Sequence, residues 1–99
     1  MSLTNESTRR ASQALGDVAA ELYRATRKFG SFASTHEGYA VILEELDELW
    51  DDVKANRVDD SIAEAVQVAA MATRYVMDIR AQQDVAVSVR VAGDDQDVT

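Results

Sequence analysis

Apolar side chains along this chain recur at alternating spacings of three and four, the period of a helix that buries one face. In the first third they are Ala11, Leu15, Val18, Leu22, Ala25 and Phe29, which predicts a helix over about 7–29. Gly30 follows, after Arg24, Arg27 and Lys28 have set positive charge near the negative end of the helix dipole. A glycine there can take the left-handed conformation that ends a helix. A second helix over about 35–55 is predicted by Ser34 and Glu37 at capping-box spacing. Its apolar set is Tyr39, Ile42, Leu43, Leu46, Leu49, Trp50 and Val53, with Glu37, Glu44, Asp47, Glu48 and Asp51 on the other side.

After a short connection at Asn56, Arg57 and Val58, a third helix is predicted over about 59–81, opened by Asp59, Asp60 or Ser61. Ile62, Val66, Ala69, Ala70, Ala72, Val76, Met77 and Ile79 cover most of its circumference, and a helix apolar on nearly every side needs cover on nearly every side. The pattern then changes. Val85, Val87, Val89 and Val91 alternate with smaller or polar residues, a period of two that also suits a short edge strand. Gly93 to Thr99 is polar and acidic, the composition of a disordered end. The expected fold is all-α: one domain over 1–81, a three-helix antiparallel protomer, and a tail over 82–99.

Ninety-nine residues bury a limited core, and two other helices from so short a chain do not surround so apolar a third one, which implies a second subunit, as a homodimer or homotetramer. The chain has no cysteine and no proline and only four glycines, which removes disulfides and thiolate sites and leaves long helices uninterrupted. A formal net charge of −8 disfavours nucleic acid as a partner. The opening residues lack a basic region followed by an apolar run, and no stretch is long and apolar enough to span a bilayer, so a cytoplasmic location without membrane association is expected.

The polar residues of the third helix are gathered rather than scattered. Glu64, Gln67, Arg74 and Asp78 form one narrow stripe, and a polar seam on an otherwise apolar helix needs a partner. On the second helix Glu45 and Glu48 are three apart, with Glu45 nearest the apolar edge. Carboxylates gathered in a partly buried place either take up protons or bind a cation, and oxygen ligands select Mg²⁺, Mn²⁺ or Ca²⁺.

Glu44-Glu45-Leu46-Asp47-Glu48, followed by Glu64-Ala65-Val66-Gln67, resembles the EExxE and ExxD pair of the all-alpha nucleoside triphosphate pyrophosphatases, the MazG-like superfamily. The resemblance covers about residues 36–78. It implies a helical dimer or tetramer whose acids hold Mg²⁺, which draws in a nucleoside triphosphate for hydrolysis between its α and β phosphates. Carried over by position, Glu45, Glu48, Glu64 and Gln67 are the metal ligands. Gln67 stands where the family has aspartate, and an amide brings no charge, so a weaker site is expected. Glu44 is then the candidate base, Arg74 a phosphate contact, and Tyr39 or Trp50 an aromatic on which a base stacks.

Each of these residues also has a plainer reading. Glu44, Glu45 and Glu48 suit a solvated helix face, Ser61 with Glu64 makes a second capping box, Arg74 can pair with Asp78, and Tyr39 and Trp50 suit a core. His36, the sole histidine, falls in the first turn of the second helix and is expected to be exposed. The alternative function is a non-catalytic acidic helical module that keeps the fold, dimerises, and binds a basic partner or imitates nucleic-acid charge.

Overall fold

A computed structural model describes residues 5–97, with side chains through residue 90. The described residues form three helices and no strand: α1 (Asn5–Lys28), α2 (Thr35–Lys54) and α3 (Val58–Asp97). Ser34 caps α2 as its spacing predicts, its Oγ accepting the Glu37 N–H at 3.1 Å. Between α2 and α3 the chain turns in three residues, with Asn56 in the left-handed region at a φ of 59°. The buried Asp52 accepts from the Arg57 guanidinium at 2.9 Å across that turn.

Two expectations about chain ends are corrected. Gly30 does not take a positive φ; the end of α1 is held instead by a contact from α3, described below. The valine-rich segment is not a strand, because α3 continues through it to Asp97. An edge strand needs a neighbouring strand, and this fold offers none among the described residues. Extending an existing helix costs far less than nucleating a new element, and no proline intervenes. Val98 and Thr99, the last residues of that expected tail, lie outside the described residues.

Helix α3 is the central element. At about 1.5 Å per residue its forty residues account for the 64 Å long dimension of the molecule. Both α1 and α2 pack on α3 and not on each other, so the protomer is an open row of three helices rather than a closed bundle. Helix α2 runs antiparallel to α3. Helix α1 runs parallel to it, with Asp17 beside Asp59 and Gly30 beside Arg74. The buried core is small: Ala25, Phe32, Ala70 and Met71, with Val18, Leu22, Val41, Ile42 and Tyr75 packed against it.

Gly38 is buried where α2 meets α3, with no room for a side chain. A Cβ built there would lie 2.6 Å from Cδ2 of Tyr75 and 3.2 Å from Phe32. No helix among the described residues is long and apolar enough to cross a membrane.

Candidate cation site

One turn-pair beyond Gly38, the antiparallel packing of α2 on α3 brings Glu45 and Glu48 of α2 opposite Glu64 of α3. One carboxylate oxygen from each lies within 4.8 Å of the other two. Glu45 and Glu64 are half-buried and Glu48 faces solvent. Three negative groups at this spacing repel, and the least solvated responds most. Burial, then hydrogen bonding to Glu45 and the charges of Glu45 and Glu48, push the Glu64 carboxyl up to about 7. Burial raises Glu45 as well, helped by the charges of Glu48 and Glu44.

Oε2 of Glu64 is buried with no hydrogen-bond partner. An acceptor shut away from water in this manner is costly unless something positive meets it, either a proton or a cation. The donor set, three carboxylates open to solvent on the Glu48 side, fits a hard divalent ion such as Mg²⁺ or Mn²⁺ that keeps some of its water. These residues therefore fit the group that the MazG-like resemblance implies.

The other half of the polar seam has a structural use. Arg74 is 5% exposed. Its Nη2 donates to the carbonyl of Gly30, its guanidinium lies 4.3 Å from the centroid of Phe32, and its Nε is 3.8 Å from Asp78. Asp78 Oδ2 accepts the Phe32 N–H at 2.9 Å, and Gln82 Nε2 donates to the Phe32 carbonyl at 2.5 Å. Residues 74, 78 and 82, each one turn apart on α3, thus clasp the α1–α2 connection and seat the Phe32 ring, 2% exposed, in the core.

That clasp forms one wall of a cleft of about 470 Å³. Glu45 lines the cleft together with Arg74, Phe29, Phe32, Glu37 and Val41, so a ligand held at the acidic trio has adjoining space. Arg74 reaches this space with its guanidinium already committed to Gly30 and balanced by Asp78.

The remaining predicted residues separate from the trio. Glu44 is exposed and acts on Glu45 through its charge alone. The Gln67 amide is directed at Glu21 of α1, where it joins Arg24 in holding that carboxyl below its ordinary value. Tyr39 and Trp50 are neither core nor part of the cleft; both are exposed on the outer side of α2. Ser61 does not cap Glu64, because α3 begins earlier and the Ser61 hydroxyl donates to the Val58 carbonyl at 2.6 Å. His36 is exposed, as expected.

Sequence reasoning missed Phe29, half exposed at the cleft, and Gln82 in the clasp. Gln82 carried a signal, since it continues the spacing of Arg74 and Asp78. Phe29 carried none, because it ends the apolar stripe of α1 and reads as core.

The chain matches no family model, no curated protein and no solved structure.

Proposed function

We propose that this chain is a self-associating helical protein that holds Mg²⁺ or Mn²⁺ on Glu45, Glu48 and Glu64 and through it binds a nucleoside triphosphate. In the MazG-like reading the nucleotide is hydrolysed between its α and β phosphates. The observation that carries the proposal is the convergence of three carboxylates from two helices around a buried oxygen of Glu64 that nothing in the protein satisfies. Solvated acids on a helix face have no reason to converge, since repulsion drives them apart.

A bound ion would supply Lewis acidity, drawing charge from phosphate oxygens and offsetting the charge that develops as a phosphoanhydride breaks. The chain's own residues do the rest. Glu45 and Glu64, half-buried, fix the position of the charge; Glu48, exposed, leaves the approach open. Glu44, one residue before Glu45 and facing solvent, is the carboxylate available to accept a proton from water. Phe29 takes the part assigned to Tyr39 and Trp50, as the aromatic surface within reach of a base in the cleft. Arg74 keeps the cleft wall in place through Gly30 and Phe32 and contributes little net charge.

One observation favours a weaker relative that binds without rapid turnover. The family's fourth acid is here Gln67, and its amide is engaged with Glu21.

The test is calorimetric titration of Mg²⁺ and Mn²⁺, with and without a non-hydrolysable nucleoside triphosphate, on the parent protein and on Glu48→Ala, followed by a pyrophosphate-release assay. Metal-dependent nucleotide binding that disappears in the variant is the expected result. Nucleotide binding of equal strength in both proteins would remove the acidic trio from the account.

A further inference from the structure

Helix α2 has two apolar faces, not one. Val41, Ile42 and Leu49 turn inward and are half-buried by the protomer. Tyr39, Leu43, Leu46, Trp50 and Val53 stand about a third of a turn away, at successive spacings of four, three, four and three, and all five are exposed. That spacing is the a/d seam of a helix made to meet another helix. Trp50 is 57% exposed and Tyr39 64%, values out of keeping with aromatic rings that a protomer has finished packing.

The exposed area is large for a chain of this mass. A folded monomer of 10.9 kDa exposes about 5,600 Å² by the usual scaling with mass. This chain exposes 7478 Å². The difference is about 1,900 Å², divided between the ends of the chain and its uncovered helix faces. The projecting end of α3 contributes to the excess, and the α2 stripe is the part of it built from leucine and large aromatic side chains.

We infer that the outer stripe of α2 is the seam on which a second copy of this chain packs, about a two-fold axis that sets stripe against stripe. Charge argues for a like copy rather than a basic partner. Glu37, Glu44, Glu48 and Asp51 lie away from the stripe on the opposite side of α2, and only Asp47 and Lys54 border it. A basic partner would be drawn to the acidic side, whereas a second copy meets an apolar surface and keeps the like charges apart. Lys54 already lies over the Trp50 ring at 5.7 Å, its stem covering the end of the seam. The inference shares self-association with the proposed function and does not depend on the cation.

Trp50 is the only tryptophan, so its emission reports on the seam alone. Sedimentation and Trp50 emission are measured together over a dilution series for the parent, for Leu46→Glu, and for Val87→Glu on the projecting end of α3. The parent should be a dimer whose emission shifts to longer wavelength as it dissociates. Leu46→Glu should raise the dissociation constant at least about a hundredfold, as a charge placed in an apolar seam does, while circular dichroism keeps the parental helix content. Val87→Glu should leave the dimer intact. A parent that is monomeric throughout overturns both the seam and self-association. A dimer whose Trp50 emission is that of an exposed indole, or one broken by Val87→Glu and not by Leu46→Glu, overturns the seam and leaves self-association standing.

Discussion

Glu64 faces two carboxylates, Glu45 and Glu48, with one of its own oxygens closed off from water. The unfolded chain ionises this group near its ordinary value of 4.5, and the folded chain only at about 7. Between those values the folded state holds the extra proton, so this group's contribution makes stability fall as pH rises from about 4.5 to 7 and level off above. Thermal melts of the metal-free protein at pH 5.5 and pH 8 should show that decline, and Glu64→Gln should flatten it and melt higher than the parent at pH 8. A variant that melts lower than the parent at pH 8 would mean that the ionised carboxylate has a partner in the fold. Gly38 gives a second prediction at this scale. Gly38→Ala gains about 1 kcal/mol of helix propensity, but its methyl meets the Tyr75 ring at 2.6 Å with the buried Phe32 behind it. We expect a net loss of about 1–2 kcal/mol by denaturant titration, as overpacking between two helices costs.

The helices themselves were largely legible in the sequence. Spacings of three and four and the Ser34 cap placed α1 and α2 to within two residues, because both signals are local. Glu45 was legible as a site residue for a similar reason: it sits at the edge of the inward face, where packing decides its direction. What escaped reading is long-range. That the Gly30 carbonyl would be claimed by Arg74, 44 residues away, has no local signature. The seven apolar residues of the second helix read as one broad face, and only the position of α3 divides them into an inner and an outer set. The valine alternation has a period of two, but a helix already running from Val58 overrides local preference. The end of α3 supplies the prediction at this scale. Val85, Val87 and Val89 are all exposed, so removing residues 84–99 should lower the helical signal in circular dichroism by the residues lost and shift the melting temperature by less than about 3 °C. A larger shift would mean that this segment is covered in the assembled protein.

At the scale of the molecule, an open row of three helices leaves two surfaces with different chemistry. One is the acidic trio with its adjoining cleft between α2 and α3; the other is the apolar outer stripe of α2. They lie on different sides of the same helix, so assembly through the stripe would leave the trio accessible, and the proposed cation binding and dimerisation are expected to be separable by mutation. Binding of a cation at the trio would also feed back on stability. An ion that binds only the folded chain should raise it by about 2.7 kcal/mol at a hundred times its dissociation constant, most at pH 8, where Glu64 is ionised in the folded state.

Whether Glu45, Glu48 and Glu64 together hold one divalent ion is read most directly by Mn²⁺ paramagnetic resonance, without any nucleotide present. Titrating the parent and Glu64→Gln at pH 8 should show one bound Mn²⁺ per chain in the parent, displaced by Mg²⁺, and none in the variant. Equal Mn²⁺ uptake by the two proteins would contradict the account.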